Sequence, residues 1–292
     1  MTKAYPEIVF SPKKVKESQY FELQPLKDFF DYLSSIKNHD PQSLHRIDFH
    51  IIIFNFGNRF SHFVDFQKCE LGHGEALIIS PGQVHAFLLD QEVDGYVIIF
   101  NQYFLEHFIA PTPLLRIRPI FNYLVGASIY SQLEVHTAFI GAIKPYLDHD
   151  DKVQGTILIG TEMTKLLLTW SQMKSELTGS QEHYHIFDQF RMSVQHHYSQ
   201  SREALFYSNL LGVSYKHLNE ICSKLTNQTP KMIIDQIVLL EAKRKIASSD
   251  ISMKELTYSL GFDSPTNFSK FFKKHTQLSP GKFKEMVSPS PS

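Results

Sequence analysis

The chain has 292 residues, 42% of them hydrophobic and 13% aromatic, which is enough for two domains with buried cores. Two cysteines, Cys69 and Cys222, exclude a disulfide framework or a cysteine-based zinc site. The sequence has no charged-then-apolar leader and no apolar run near the roughly 18 residues of a membrane helix, so we expect a cytoplasmic protein without membrane contact.

The net charge of −1 hides an uneven distribution. From Phe190 onward there are 14 Lys and Arg against 8 Asp and Glu, a net charge of +6. The preceding residues have 15 against 22, a net charge of −7. This asymmetry predicts a C-terminal domain that meets phosphates, attached to an acidic domain with another role.

The N-terminal part is a series of short β-branched and aromatic runs between Arg46 and about Phe100. Turn signals separate the runs, at Gly57-Asn58, Gly72-His73-Gly74, Pro81-Gly82 and Asp94-Gly95. Short strands at this spacing predict an antiparallel β-barrel or jelly roll within residues 1–110.

A helical segment is predicted for residues 111–180, with the strongest helical patterns between Leu114 and Lys174. One apolar stripe runs along it, formed by Ile159, Met163, Leu166, Leu167 and Trp170. This stripe either covers the barrel or forms the interface of a homodimer, and one helix can do both.

Two helix-turn-helix patterns follow, about fifty residues apart. In the first, Ser214 is the expected N-cap, and the buried face is predicted to be Leu218, Ile221, Cys222 and Leu225. In the second, Ser264 is the expected N-cap, Pro265 opens the helix, and the buried face is predicted to be Phe268, Phe271, Phe272 and His275.

The two patterns correspond position by position. Leu218 matches Phe268, Pro230 matches Pro280, and Gly212 matches Gly261 in the turn. A long helix is predicted between them, beginning at Thr229-Pro230 and ending near Ala247. A stiff connector fits two recognition helices that must lie roughly 34 Å apart, one turn of DNA.

The closing segment "LGFDSPTNFSKFFKKHTQLSPGKF" and the repeat before it resemble the AraC/XylS family of transcription regulators. The resemblance implies a DNA-binding domain over residues 185–288, which places two helices in successive major grooves of double-stranded DNA. It further implies an activator that works with RNA polymerase. "GEALIISPGQVHAF" is similar to the second half of a cupin motif, which is typical of the sensory domains of such regulators.

The predicted fold is therefore α+β with two domains: a cupin-like β-barrel with a helical dimerisation segment, and an all-α double helix-turn-helix domain. The predicted DNA-binding residues are the outward positions of the two recognition helices, namely Lys216, Asn219, Glu220, Pro265, Thr266, Asn267, Lys270, Lys273 and Lys274. The first helix departs from the family, because Glu220 repels phosphate, although it can accept from cytosine N4.

The barrel is predicted to bind a small-molecule effector of unknown class. Candidate contacts are its polar residues Arg46, His50, Arg59, His62, Gln83 and His85. No cofactor is predicted, because a metal site needs three or more ligands, and Ile47 stands where a His-x-His pair starting at His45 needs its second imidazole.

Two other functions stay open. A metal-dependent cupin enzyme fused to a helical domain would carry a stoichiometric transition metal. A nucleoid-type DNA binder would bind without sequence preference.

Overall fold

The computed structural model describes residues 7–8, 20–35, 44–88, 93–109, 117–121, 128–173, 181–248 and 251–287. By its internal contacts the chain divides into two compact units, one within residues 6–175 and the other within residues 176–292. The strands lie in the first unit, and the second is helical where it is described, which confirms the predicted α+β class with two domains.

The strands of the first unit form two five-stranded sheets, in the orders β1-β3-β8-β5-β6 and β10-β7-β4-β9-β2. Their bounds are β1 (Glu7–Ile8), β2 (Phe21–Pro25), β3 (His45–Ile47), β4 (His50–Asn55), β5 (Phe60–Val64), β6 (Gln67–Leu71), β7 (Glu75–Ile79), β8 (Val84–Leu88), β9 (Gly95–Phe100) and β10 (Ser128–Ser131). All ladders are antiparallel except the parallel pair β1 and β3.

Consecutive strands β3, β4 and β5 alternate between the sheets, as in jelly rolls. Among the described strands no ladder joins one sheet to the other, so they form a sandwich, and a closed barrel is not seen.

Strand β4 shows how the sandwich is packed. Ile51 and Ile53 face the other sheet, whereas Ile52 and Phe54 face a layer of helices. Successive side chains of a strand point to opposite faces, and both faces of β4 are covered, so all six of its residues are buried. This explains why the segment is a continuous apolar run without polar alternation.

The turn between β5 and β6 was not predicted. Its two residues, Asp65 and Phe66, have φ values of 45° and 70°, the left-handed region that a two-residue hairpin requires. Neither is glycine, and a single aspartate within an apolar run is a weak turn signal. The Asp65 carboxylate accepts from Gln83 Nε2 at 2.8 Å and from the Val84 amide at 3.2 Å, which ties this turn to β8.

Helices complete the first unit: α1 (Leu26–Ser35), α2 (Gln102–Phe108), a 3-10 turn (Arg118–Phe121), α3 (Leu133–Leu147) and α4 (Lys152–Met173). Helix α1 adds Leu26, Phe29 and Leu33 to the core between the sheets. The others cover the outer face of the second sheet in one apolar cluster.

The predicted dimer stripe belongs to that cluster, which corrects its assignment. Ile159, Met163, Leu166, Leu167 and Trp170 are at most 4% exposed and pack with Ile52 and Phe54 of β4. Because they already fill the space against the sheet, these five side chains are not available to a second copy. Of the two roles considered, the stripe covers the sheet.

The helical prediction is also wrong at residues 128–131, which form β10. Ser128 through Ser131 pair with Ile78 through Glu75 of β7. The alternation turns Tyr130 toward the helices, where its ring stacks on Trp170 with centroids 4.5 Å apart.

A hydrogen-bonded relay joins this helical layer to the sandwich. Trp170 Nε1 donates to His136 Nε2 at 3.1 Å, and His136 Nδ1 lies 3.0 Å from the Gly74 carbonyl oxygen. An indole nitrogen only donates, so Nε2 accepts and Nδ1 carries the proton that is donated to Gly74. Burial lowers the pKa of His136 to about 4, which keeps the ring neutral.

The second unit contains α5 (Gln181–His197), α6 (Ala204–Leu210), α7 (Tyr215–Thr226), α8 (Pro230–Ser248), α9 (Met253–Ser259), α10 (Pro265–Thr276) and α11 (Pro280–Val287). The connecting helix α8 begins at Pro230 and ends one residue after Ala247, as predicted. Helices α6–α7 and α9–α10 are the two helix-turn-helix pairs. No helix within the described ranges is long and apolar enough to span a membrane.

Candidate nucleic-acid interface

Helix α10 is defined by its caps and its buried face. Ser264 has extended backbone, and its hydroxyl accepts from the Asn267 amide at 3.2 Å, so it is the N-cap that the sequence predicted. Pro265 occupies the first turn, where a missing N–H costs nothing. Phe268 and Phe272 are fully buried, and Phe271 is half-buried against Phe262.

His275 does not belong to the buried face, contrary to the prediction. It is exposed, and its ring stands 4.7 Å from that of Phe271. The position falls in the last turn of α10, beyond the packed part of the helix, so the periodicity continued further than the core does.

The remaining face of α10 is polar, basic and exposed. Pro265, Thr266, Asn267, Lys270, Lys273 and Lys274 are all exposed, as the sequence predicted. At 100° per residue, Lys270 lies near the centre of this face and opposite the buried phenylalanines. Within α10 this face carries three ammonium groups and no carboxylate.

Ser269 and Ser279, at the edge of this surface, were not among the predicted DNA contacts. An open cavity of about 390 Å³ lies along α10, lined by Pro265, Thr266, Ser269, Lys270, Lys273 and Ser279. Ser279 precedes α11, and its hydroxyl accepts from the Lys282 amide at 3.2 Å. Ser269 and Ser279 therefore add hydroxyl donors to the lysines at one edge of the face.

Helix α7 has the same construction. Ser214 accepts from the His217 amide at 3.1 Å, and Leu218, Ile221 and Cys222 are buried. Burial raises the pKa of the Cys222 thiol to about 12, which agrees with a packing role.

The exposed face of α7 differs from that of α10 in its charge. Lys216 and Glu220 are exposed, and Asn219 is half-buried. Glu220 takes the place that Lys270 takes on α10, fifty residues later. A carboxylate therefore stands at the centre of the first face and an ammonium group at the centre of the second.

The fifty-residue repeat extends to backbone details. Gly212 and Gly261 have φ values of 67° and 72°, and both turns need this left-handed conformation. Asn227 and Gln277 end α7 and α10 with φ values of 56° and 62°. The two helix-turn-helix pairs are thus copies of one local fold.

The six predicted effector contacts do not line one chamber. His62 and His85 face the core between the sheets, where His62 Nε2 lies 3.1 Å from His85 Nδ1. His45, which was considered only as a broken metal motif, joins them, with its ring centroid 4.2 Å from that of His85. Burial first, and then the charge of His45, lowers the pKa of His62 to about 3.

The other four candidates lie elsewhere in the first unit. His50 faces the helical layer and stacks on Phe100 with centroids 5.0 Å apart, and burial lowers its pKa to about 3. Gln83 is buried, with its amide bonded to Asp65 and to the Ser80 amide. Arg46 is half-buried in β3, and Arg59 is exposed beside β5.

A separate open cavity of about 490 Å³ lies at the loop end of the sandwich, and none of the six lines it. Its lining residues are Phe56, Gly57, Asn58, His73, Val93 and Asp94. In the part of the chain that is described, no three His, Cys, Asp or Glu side chains are arranged to hold a metal ion.

Comparison with known proteins identifies the C-terminal part. Residues 207–286 match a family described as a helix-turn-helix domain, and this range runs from α6 into α11. The chain is 32% identical over 78 residues to a probable transcription factor, PqrA of Proteus vulgaris, covering 27% of this chain and 64% of that protein. It is 25% identical over 133 residues to the transcriptional activator RhaS of Yersinia pestis, covering 44% and 47%.

The chain spans less than two thirds of the length of the curated relatives it matches. Among solved structures, ToxT of Vibrio cholerae with a bound unsaturated fatty acid covers 94% of this chain and 98% of its own, at 11% identity and a TM-score of 0.44.

Proposed function

We propose, from an AraC/XylS-type helix-turn-helix domain at residues 207–286, that the chain is a sequence-specific, DNA-binding transcription regulator and acts as an activator. One observation carries the proposal: α7 and α10 repeat the same caps and buried faces, and both present polar side chains outward at matching positions. Two such helices on one connector suit neighbouring major grooves.

The roles on α10 follow from side-chain chemistry. Thr266 and Asn267 lie in the first turn, which enters a major groove most deeply, and Asn pairs well with adenine while the Thr methyl contacts thymine. Lys273 and Lys274 lie further along the helix and are assigned to phosphates. Lys270 is central and reaches a guanine or a phosphate.

On α7 the proposed contacts are Lys216, Asn219 and Glu220. A carboxylate accepts but cannot donate, so Glu220 selects for cytosine N4 and against phosphate contact. The first helix is therefore proposed to bind more weakly than the second.

Selection of binding sites from random DNA tests the proposal. Wild type should enrich one sequence, Asn267→Ala should lose preference at one base pair, and Lys273→Ala should keep every preference while binding more weakly. If wild type binds DNA but enriches no sequence, the result favours a nucleoid-type binder, and if it binds no DNA, the proposal is refuted. If Asn267→Ala keeps the full wild-type preference, this residue does not contact a base.

The first unit is proposed to bind the small-molecule effector without a metal. His62 and His85 are the best supported contacts, because their imidazoles lie 3.1 Å apart beside His45 and bring polar groups into the core between the sheets, where a few placed polar groups could orient a small molecule. Arg46, His50, Arg59 and Gln83 stay secondary candidates.

Thermal-shift screening of sugars, aromatic acids and fatty acids should identify one class that stabilises wild type, and His62→Phe should lose the effect. A class that stabilises both equally would place the effector elsewhere. One bound transition metal per chain, measured by elemental analysis, would favour the cupin enzyme instead.

The proposed partners besides DNA and effector are RNA polymerase and a second copy of the chain. Since the buried stripe of α4 is occupied, a homodimer has to use another surface, and Val153 and Ile157 of α4 are 65% and 51% exposed. Sedimentation should give a dimer for wild type and a monomer for Ile157→Lys. If Ile157→Lys stays dimeric, this face is not the interface.

A further inference from the structure

The loop of residues 198–203 is anchored to the first helix-turn-helix pair. It connects α5 to α6, and the Tyr207 hydroxyl of α6 donates to the Ser201 carbonyl oxygen at 2.7 Å. Tyr207 is fully buried and packs edge-on against Phe190 of α5. The Lys231 ammonium at the start of α8 also donates to the Arg202 carbonyl oxygen, at 3.2 Å.

The same loop contacts the turn of the second pair. A Cβ on Gly261 would lie 2.5 Å from the Ser199 carbonyl oxygen, so the two backbones approach as closely as glycine allows. Phe262 follows Gly261 in this turn. The guanidinium of Arg202 lies over its ring, with Cζ 3.7 Å from the ring centroid. This is the geometry of a cation–π contact.

Phe262 continues the connection into the second recognition helix. Its ring is buried and packs against Phe268 and Phe271 of α10, with centroids 5.3 and 5.1 Å apart. A continuous series of contacts therefore runs from Tyr207 through the loop and Phe262 to α10, in parallel with the covalent connection through α8.

We infer that this loop, through Arg202, is a second link that sets the position of α10 relative to α7. If the domain binds DNA as proposed above, this loop also sets the spacing that the domain accepts between the two half-sites. Arg202 is thus a positioning residue. Its guanidinium contacts Phe262 in the turn between α9 and α10. The side chains that we propose to contact bases lie on the exposed face of α10, whereas Phe262 packs against its buried face.

The cation–π contact can be removed with little change in shape. Arg202→Met keeps a long unbranched side chain and loses the charge, whereas Arg202→Lys keeps a cation that can lie over the ring. Loss of a contact of this kind should reduce the preference for one spacing by roughly 2- to 30-fold.

The first experiment selects the spacing. The full-length chain is offered DNA in which the two half-sites are separated by a random number of base pairs. We expect wild type and Arg202→Lys to enrich one spacing, and Arg202→Met to accept neighbouring spacings with unchanged base preference in each half-site. A uniform loss of affinity at every spacing would mean that Arg202 contacts phosphate and would overturn the inference.

The second experiment needs no DNA, so it separates this inference from the proposed function. Spin labels are attached at Ser223→Cys and Lys273→Cys, which are exposed, equivalent positions of α7 and α10. The background is Cys69→Ser. Cys222 is fully buried, and a sample without the two introduced cysteines checks that it stays unlabelled.

The distance distribution between the two labels should be narrow in wild type and in Arg202→Lys, and broader in Arg202→Met. An equally narrow distribution in all three would overturn the inference, whatever the DNA experiment gives. The two experiments can also disagree. If Arg202→Met broadens the distance distribution but wild type selects no DNA sequence, the proposed function is refuted and the positioning role of Arg202 is kept.

Discussion

Replacing Lys270, Lys273 and Lys274 by alanine should flatten the salt dependence of DNA binding. All three ammonium groups are exposed on one face of α10, and no carboxylate shares that face. Each lysine that neutralises one phosphate contributes about 0.9 to the slope of log K against log[salt]. The triple variant should therefore lose about 2.7 from the slope.

The slope translates into a direct difference in affinity. Between 50 and 200 mM salt, a slope of about 2.7 corresponds to roughly a 40-fold change. Over this range of salt concentration, the affinity of wild type for DNA should therefore fall roughly 40-fold more than the affinity of the triple variant. Fluorescence anisotropy with a labelled duplex, at four or five salt concentrations, measures both slopes.

The control removes the same number of charges from the other unit. Lys68, Lys152 and Lys165 are exposed lysines of the first unit, and their replacement by alanine lowers the net charge equally. This control should keep the wild-type slope. If the two triple variants behave alike, the effect comes from net charge alone, and if the α10 variant keeps the wild-type slope, its lysines do not face DNA.

Three further predictions follow from individual residues. Phe272→Ala should lower the free energy of unfolding of the second unit by about 3–5 kcal/mol, because Phe272 is fully buried, and an unchanged melting temperature together with lost binding would place this side chain on the DNA. Glu220→Gln should tighten overall binding and change the preferred base at one position of the first half-site in a binding-site selection, whereas an unchanged selection would remove Glu220 from the interface. His136 has its pKa lowered in the folded protein to about 4, so it binds a proton more readily when unfolded, and the stability it contributes should be complete above pH 6.5 and decline toward pH 4. Glutamine at position 136 can both accept and donate a hydrogen bond. In urea unfolding, the free energy of unfolding should decline less steeply with falling pH for His136→Gln than for wild type. Parallel declines would show that His136 does not cause the pH dependence.

The helices of the second unit could be predicted because their signals are local. Ser214 and Ser264 cap α7 and α10 where the spacing of apolar residues indicated, and Pro230 opens α8. A cap acts within one turn, and the buried face repeats every three to four residues, so each element carries its own evidence. His275 shows the limit of such local signals. The spacing of apolar residues does not indicate where the surface that covers the helix ends, so His275 was wrongly assigned to the buried face.

The first unit was less predictable because its contacts join distant parts of the chain. His45, His62 and His85 come together only through the order β3-β8-β5 in one sheet, which no local pattern specifies. The role of the α4 stripe was open for a similar reason: an apolar stripe requires a partner, and its spacing does not say whether that partner is a sheet or another chain.

Strand β10 and the Asp65-Phe66 turn were missed because their residues are unusual for those structures. β10 has only four residues, and serines occupy both of its ends. The turn adopts positive φ values without glycine or asparagine. In both cases contacts made elsewhere in the fold override weak local preferences.

The relay between the helical layer and the sandwich gives the protein a spectroscopic probe. Trp170 is the single tryptophan of the chain, it is fully buried, and its ring nitrogen is bonded to His136. Intrinsic fluorescence excited at the indole band therefore reports on the first unit alone, and on the contact of α4 with the sheet. Far-ultraviolet circular dichroism is dominated by helices and reports on both units, with the larger share of the described helical residues in the second. A loss of circular dichroism without a change in fluorescence during denaturation would therefore report unfolding of the second unit in the unlabelled chain.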